Sequence, residues 1–125
     1  MTKILIAEDD ESVRAFVSRA LMIDGHTVTT AEDGSEALDV LSEDSDFDLL
    51  LSDIKMPVMD GIALALNVAR DHPDVPILLM TGYADQRERA DGLEQIVVDV
   101  VQKPFSLADI RAAVNAAITN ASCAA

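Results

Sequence analysis

The sequence has few of the residues on which secreted, membrane-spanning and nucleic-acid-binding proteins depend. Among its 125 residues there is one cysteine, there is no tryptophan, and only 3% are aromatic. One cysteine cannot form a disulfide framework within the chain, and so few aromatic rings leave little surface on which nucleotide bases could stack. The longest uninterrupted apolar run, residues 62–66, is far shorter than the roughly 20 residues that a membrane-spanning helix needs.

Positively charged residues are also scarce. The chain has 9 Lys and Arg against 23 Asp and Glu, which gives a formal net charge of -14. Such a field repels the phosphates of nucleic acids, so we expect no nucleic-acid partner. Because the sequence shows neither an apolar span nor a secretion signal, we expect no membrane partner and a location in the reducing cytoplasm.

Apolar residues make up half of the sequence, which is enough for one domain with a single core. Short apolar runs predict five strands, and segments with apolar residues three and four apart predict five helices. The strands are predicted at residues 4–7, 26–30, 49–51, 77–80 and 96–101, and the helices around residues 13–21, 37–41, 62–69, 84–93 and 107–118. Strands that alternate with helices form a parallel sheet with helices on both faces, so the predicted fold is α/β and doubly wound.

Charged and hydroxyl side chains follow four of the predicted strands. The first strand leads into an acidic triplet, residues 8–10, the third into Asp53, the fourth into Thr81 and the fifth into Lys103. Ligand sites in such sheets form at the carboxyl ends of the strands. We therefore expect these carboxylates, the hydroxyl and the ammonium to converge at one edge of the sheet.

Carboxylates that converge in this way repel one another unless a cation lies between them. Mg²⁺ meets that need, because it binds oxygen ligands and is often held by one or two carboxylates together with a phosphate. Lys103 and Thr81 suit the other half of such a site, since an ammonium and a hydroxyl both interact favourably with phosphoryl oxygens. Asp53 is then a candidate carboxylate nucleophile.

The motifs at the strand ends resemble those of the receiver domains of two-component response regulators. The shared motifs are Asp9-Asp10, Asp53 within the sequence Ser-Asp-Ile-Lys-Met-Pro, Asp60-Gly61, Thr81-Gly82 and Lys103-Pro104-Phe105. Each motif is short, but their order and spacing together are specific, and the resemblance extends from residue 3 to about residue 118. It implies a flavodoxin-like fold whose five parallel strands have the order 2-1-3-4-5.

For function, the resemblance implies a signalling protein rather than an enzyme. Asp53 would accept a phosphoryl group from a phosphohistidine on a histidine kinase or a histidine phosphotransferase. Thr81 and Lys103 would bind the phosphoryl oxygens. The added charge would then move Thr81 and bias the surface formed by the last strand and the last two helices.

The resemblance also implies which residues hold Mg²⁺. Asp10 and Asp53 would bind the ion directly, together with the backbone carbonyl of Lys55. Asp9 would act mainly through a metal-bound water molecule.

Two positions depart from the receiver pattern. Receivers often have an aromatic residue three positions before the lysine, but in this chain that residue is Val100, so the usual aromatic switch cannot operate. Tyr83, two residues after Thr81, is a candidate substitute, and we hypothesise that it shields the phosphoaspartate from water. The alternative is an exposed tyrosine without a role.

The end of the sequence indicates how a receiver could act without an output domain. We expect a receiver domain at residues 1–119 and a short tail at residues 120–125, which ends in Ala124-Ala125. Some alphaproteobacterial receivers, the CpdR group, end in this way and steer a ClpXP-type protease to cell-cycle substrates. The resemblance therefore implies a protease adaptor, and a frayed helix end is the alternative.

Other functions stay open at this point. A phosphorelay intermediate that passes the phosphoryl group to a histidine phosphotransferase needs the same site, and a degenerate receiver would only bind partners. A haloacid-dehalogenase-like phosphatase needs a second carboxylate two residues after its nucleophile, where this chain has Lys55. A flavodoxin-like FMN carrier needs a phosphate-binding loop after the first strand, where the acidic triplet would repel the phosphate.

Overall fold

The structure is a computed structural model, and it describes residues 2–44, 46–81, 96–102 and 105–123. Five strands form its sheet: β1 (Lys3–Ala7), β2 (Thr27–Ala31), β3 (Leu49–Asp53), β4 (Ile77–Thr81) and β5 (Asp99–Gln102). The helices within the described residues are α1 (Glu11–Ile23), α2 (Gly34–Glu43), α3 (Gly61–Asp71) and α4 (Leu107–Cys123).

The strands pair in parallel in the order β2-β1-β3-β4-β5, which confirms the predicted doubly wound sheet. The fourth predicted helix, at residues 84–93, lies outside the described residues. The last strand begins at Asp99 rather than at residue 96, and of the apolar residues before it Val97 packs in the core and is 6% exposed. Within the described ranges, no helix has both the length and the apolar character needed to cross a membrane.

The sheet separates two hydrophobic cores. Along β1, Leu5 and Ala7 face one core while Ile4 and Ile6 face the other, and all four side chains are fully buried. α2 and α3 cover the first face, and α1 and α4 cover the second. Because both faces are covered, the central strands are apolar at successive positions rather than at every second one, as in other parallel sheets.

A capping side chain starts each of the four described helices. Asp10, Asp33 and Asp60 accept hydrogen bonds from backbone N–H groups in the first turns of α1, α2 and α3. At α4 the Asp109 N–H donates to the Ser106 hydroxyl and the Ser106 N–H donates to the Asp109 carboxylate, both at 3.1 Å. Such caps satisfy N–H groups that have no partner within the helix. Since these helices follow the carboxyl ends of parallel strands, the caps also hold the loops around that edge of the sheet.

An ion pair joins the end of α1 to α4. Arg111 contacts Oδ1 of Asp24 through Nε at 2.9 Å and through Nη2 at 2.5 Å. Asp24 directly follows α1, and its side chain is only 14% exposed. The hydrogen bonds from Arg111 hold the pKa of Asp24 below its ordinary value of 3.8. The pair therefore stabilises the fold only while Asp24 is ionised.

This ion pair predicts a pH-dependent contribution to stability. A carboxyl group whose pKa is lowered by folding stabilises the native state above its unfolded pKa, and this contribution disappears as the pH falls through the lower, folded value. We expect Arg111→Met to lower the melting temperature near neutral pH, and the difference from the wild type to shrink once the pH falls below about 4. Thermal unfolding followed by circular dichroism measures both proteins across this range. A difference that stays constant down to a pH of about 3 would contradict an ionic role for the pair.

Candidate functional site

The register of the sheet places polar residues at the ends of neighbouring strands. The last register pair between β1 and β3 joins Ala7 to Ser52, so the next residues, Glu8 and Asp53, reach the carboxyl edge side by side. β4 lies on the other side of β3 and ends at Thr81. Three adjacent strands thus present polar side chains at one edge of the sheet.

Three carboxylates meet at this edge. One oxygen from each of Glu8, Asp9 and Asp53 lies within 4.8 Å of the other two. Glu8 is 1% exposed and Asp53 is 6% exposed, whereas Asp9 is on the surface. Negative charges at these separations, and with this degree of burial, repel one another strongly.

The cluster fits a hard divalent cation. Mg²⁺ binds oxygen at about 2.1 Å, so two oxygens on the same ion are at most about 4.2 Å apart. Carboxylates within 4.8 Å of one another reach that arrangement through small side-chain movements. The exposed position of Asp9 leaves one side open to the water molecules that Mg²⁺ usually retains. The side chain of Lys55 is exposed, and its backbone carbonyl stays a predicted further ligand.

The structure does not bring Asp10 into this cluster. Its Oδ1 accepts hydrogen bonds from the N–H groups of Ser12 at 2.8 Å and Val13 at 3.1 Å, at the start of α1. The cluster therefore differs from the predicted ligand set: it contains Glu8, which the motif comparison did not name, and Asp10 is not part of it. In the short connection between β1 and α1, Asp10 is the last residue and caps the helix, whereas Glu8 and Asp9 lie nearer the end of β1.

Hydrogen bonds hold the backbone of the acidic segment. The N–H of Glu8 donates to the carbonyl of Ala31, the last residue of β2, at 3.0 Å. Nη1 of Arg14 donates to the carbonyl of Glu8 at 2.8 Å. The side chain of Glu8 in turn accepts a hydrogen bond from the N–H of Asp10 at 3.2 Å. These bonds fix a buried carboxylate beside β3.

Asp53 is held through the peptide group that follows it. The N–H of Ile54 is shared between two acceptors: it donates to Oδ1 of Asp53 at 2.9 Å and to the carbonyl oxygen of Met80 at 3.0 Å. The hydroxyl of Ser52 donates to the carbonyl oxygen of Asp53 at 2.9 Å. The orientation of the carboxylate therefore depends on the backbone at the end of β3.

α3 begins directly against this backbone. Gly61 donates its N–H to the carbonyl of Ile54 at 2.7 Å, and a Cβ at this position would overlap the carbonyl oxygen of Asp53. Only glycine allows so close an approach. The loop before α3 is strained, since Val58 has a φ of 66°, a left-handed conformation that costs a residue other than glycine roughly 1–2 kcal/mol. Backbone strain of this kind is concentrated at functional sites.

The other predicted site residues lie on β4 and β5 or outside the described residues. Thr81 is fully buried and pairs with Gln102 of β5. Val100 lies on β5 and packs against the core while partly buried. Four predicted residues fall outside the described ranges, and their roles stay predictions: Tyr83, Lys103, Ala124 and Ala125.

A family model classifies the chain. The model of the response regulator receiver domain matches residues 4–115, which is most of the sequence. The chain belongs to the receiver domain family of response regulators. This confirms the resemblance drawn from the motifs, and the family is one of signalling phosphoacceptor domains.

The curated relatives differ in the share of their length that this receiver covers. The response regulator receiver protein CpdR of Brucella abortus is 41% identical over 110 residues, which cover 88% of this chain and 91% of that protein. The DNA-binding transcriptional regulator NtrC of Escherichia coli is 38% identical over 117 residues, which cover 94% of this chain. The receiver spans about a quarter of the length of the NtrC relatives that it matches, with 25% of the Escherichia coli protein covered.

Solved receiver structures have the same fold. A response regulator receiver domain protein from Clostridium thermocellum matches with a TM-score of 0.89 at 25% identity, and each chain is covered completely. The response regulator protein TrrA from Thermotoga maritima, solved in complex with Mg²⁺-BeF, matches with a TM-score of 0.83 at 28% identity. That match covers 93% of this receiver and 98% of TrrA. A protein of this fold has thus been observed with Mg²⁺ bound, which agrees with the donor set at the carboxyl edge.

The cluster of Glu8, Asp9 and Asp53 predicts how Mg²⁺ affects the stability of the fold. A ligand that binds only the native state stabilises it by about 2.7 kcal/mol at one hundred times its dissociation constant. We expect Mg²⁺ to raise the melting temperature of the wild type and of Asp10→Asn alike, because Asn caps a helix about as well as Asp does. Asp9→Asn should gain little from Mg²⁺, and without the ion it should be more stable than the wild type, since one repelling charge is gone.

Calorimetric melting temperatures with and without Mg²⁺, at matched ionic strength, compare the three proteins. Asp10→Asn is the matched control, because it makes the same chemical change one residue away. A gain from Mg²⁺ that is lost in Asp10→Asn but kept in Asp9→Asn would contradict Mg²⁺ binding at the cluster of Glu8, Asp9 and Asp53.

Proposed function

We propose that this receiver is a phosphoacceptor of two-component signalling and that Asp53 is the residue that becomes phosphorylated. The observation that carries the proposal is the placement of Asp53 at the edge of the sheet, with its carboxylate within 4.8 Å of those of Glu8 and Asp9. Carboxylates grouped in this way suit a divalent cation, and a carboxylate beside such a cation suits nucleophilic attack on phosphorus.

The proposed reaction is an in-line transfer that needs positioning and charge neutralisation more than covalent help. An oxygen of Asp53 attacks the phosphorus of a phosphohistidine on the donor protein. The P–N bond breaks, the imidazole, protonated on its other nitrogen, leaves as a neutral ring, and Asp53 becomes a mixed anhydride. The N–H of Ile54 orients the carboxylate through its bond to Oδ1. When bound, Mg²⁺ supplies charge neutralisation at the oxygens of the transferred group.

Thr81 and Lys103 complete the proposed site. Thr81 is buried at the end of the strand next to β3, and we assign its hydroxyl to a phosphoryl oxygen. Lys103 follows the last residue of β5, and we assign its ammonium to the same group. Phosphorylation adds about -1.5 to -2 charges, which would pull on both side chains and change the surface near β4 and β5. Tyr83 is proposed to shield the anhydride, since Val100 leaves the usual aromatic position aliphatic.

The proposed donor is a histidine kinase or a histidine phosphotransferase in the cytoplasm. Family membership supports this assignment, because receiver domains take phosphoryl groups from phosphohistidine. A phosphorelay, in which Asp53 passes the group on to a second histidine, uses the same residues in the reverse direction.

Intact-protein mass spectrometry after incubation with acetyl phosphate and Mg²⁺ tests the proposal. The wild type should gain the mass of one phosphoryl group, and hydroxylamine should remove it, because hydroxylamine cleaves acyl phosphates. Asp53→Asn should gain no mass that hydroxylamine removes. If the wild type gains no mass although Mg²⁺ stabilises it, the proposal fails, and a degenerate receiver that acts by binding alone becomes the better explanation.

The likeness to CpdR favours a second role for the same receiver, as an adaptor of a ClpXP-type protease. The supporting observation is the 41% identity over 91% of the length of CpdR, together with the pair Ala124-Ala125. We propose that the protease recognises this pair.

Changing both alanines of this pair, Ala124→Asp and Ala125→Asp, should lengthen the half-life of the receiver in cells that contain such a protease. The physical reason is that two carboxylates replace the small apolar groups that the protease would bind. Ser122→Asp, which adds a charge just before the pair, is the control. A half-life unaffected by the double change would argue against recognition of the tail.

A further inference from the structure

We propose that Ser52 is a positioning residue for the phosphoacceptor and acts through the peptide group that joins Asp53 to Ile54. The proposal rests on the proposed function of Asp53 and deepens it. Successive residues of a strand point to opposite faces of the sheet, so the side chain of Ser52 leaves β3 on the face opposite to that of Asp53. It therefore influences the carboxylate through the backbone.

A hydroxyl at this position needs an explanation, because its surroundings are apolar. The β3 residues before Ser52 are three leucines, and its register partners are Ala7 in β1 and Leu79 in β4. Ser52 itself is fully buried. Burying a hydroxyl is unfavourable unless it forms a hydrogen bond, and an aliphatic side chain would meet the needs of packing alone. Packing alone therefore does not account for the hydroxyl of Ser52, whereas its hydrogen bond does.

That hydrogen bond and the bond to the carboxylate involve the same peptide group. The hydroxyl of Ser52 donates to the carbonyl oxygen of Asp53 at 2.9 Å, and the N–H of the same peptide, on Ile54, donates to Oδ1 of Asp53 at 2.9 Å. A hydrogen bond to a carbonyl polarises the peptide and strengthens the donor at its other end. Ser52 thus both fixes the plane of the peptide and strengthens this donor, which is shared between Oδ1 of Asp53 and the carbonyl oxygen of Met80.

The start of α3 holds this carbonyl from another direction. Gly61 packs so closely on Asp53 that a Cβ would overlap the carbonyl oxygen, and its N–H donates to the next carbonyl, that of Ile54. The peptide therefore lies between a hydroxyl and the backbone of a helix start. Removing the hydroxyl removes one of these restraints, while the packing against Gly61 remains. A moderate loss of precision at the carboxylate follows, rather than collapse of the site.

Three variants separate positioning from simple packing. Ser52→Ala removes the hydroxyl, and Ser52→Thr keeps it. Ile4→Val is the matched control, because it also removes one non-hydrogen atom from a fully buried position, at the opposite end of β1. Melting temperatures establish that each variant folds. Should Ser52→Ala not fold, Ser52→Cys replaces it, since a thiol fills the position but is a much weaker hydrogen-bond donor.

Two measurements are made on each protein. One is the rate constant of phosphorylation at saturating acetyl phosphate and Mg²⁺. The other is the amide proton chemical shift of Ile54 in the unphosphorylated protein, by ¹H–¹⁵N NMR. We expect Ser52→Ala to slow the reaction by about three- to tenfold, the effect of one hydrogen bond on a transition state, with the half-saturating acetyl phosphate concentration unchanged. Its Ile54 amide proton should move upfield, while Ser52→Thr and Ile4→Val leave both quantities near their wild-type values.

The outcomes distinguish this proposal from the proposed function. A wild type that becomes phosphorylated, with Ser52→Ala equally fast or slowed no more than Ile4→Val, would overturn the role of Ser52 alone. A folded Ser52→Thr that is as slow as Ser52→Ala would also overturn it, because the hydroxyl would then not be the cause. A wild type that takes up no phosphoryl group would overturn the proposed function, and with it the role of Ser52 in that reaction.

Discussion

Electrostatic repulsion at one edge of the sheet is the constraint on which the rest of the structure depends. Glu8 and Asp53 are almost fully buried, and with Asp9 they place three carboxylate oxygens within 4.8 Å of one another. The whole chain is acidic as well, with a formal net charge of -14, so long-range electrostatics does not relieve the repulsion. Apolar packing on both faces of the sheet offsets this repulsion, and a cation bound at the cluster relieves it. Because the carboxylate cluster is unfavourable without a cation, it is suited to bind a metal ion.

Backbone contacts, more than side-chain packing, hold these charges in position. The carbonyl groups of two of the acidic residues each accept a hydrogen bond from a nearby side chain, Arg14 for Glu8 and Ser52 for Asp53. Gly61 brings the start of α3 against the carbonyl of Asp53, where no other residue would fit. Because these contacts restrain the main chain, the carboxylates keep their arrangement although they repel one another. Phosphoryl transfer that depends on the positioning of the reacting groups requires such preorganisation.

Much of the fold could be predicted from local patterns. Apolar runs that alternate with helical stripes identify the parallel sheet, because both faces of such a sheet are buried. Capping also depends on neighbours within three residues, as Ser106 at the last helix and Asp10 at the first show. The start of β5 was harder to place. Ile96 and Val97 have the apolar character of a strand, but they pack in or against the core ahead of Asp99, where the strand begins.

The sequence by itself therefore determined the fold class, the edge of the sheet that carries the site, and Asp53 as its candidate nucleophile, because each depends on patterns a few residues long. Only the tertiary structure decided which members of the acidic triplet share that edge. Glu8, Asp9 and Asp10 are equivalent by pattern, and their roles depend on where β1 leaves its neighbours. That point is set by hydrogen bonds and register with β2 and β3, strands that lie 20 or more residues away along the chain. The contacts of Ser52 and Gly61 with Asp53 are likewise fixed by packing, which no local pattern records.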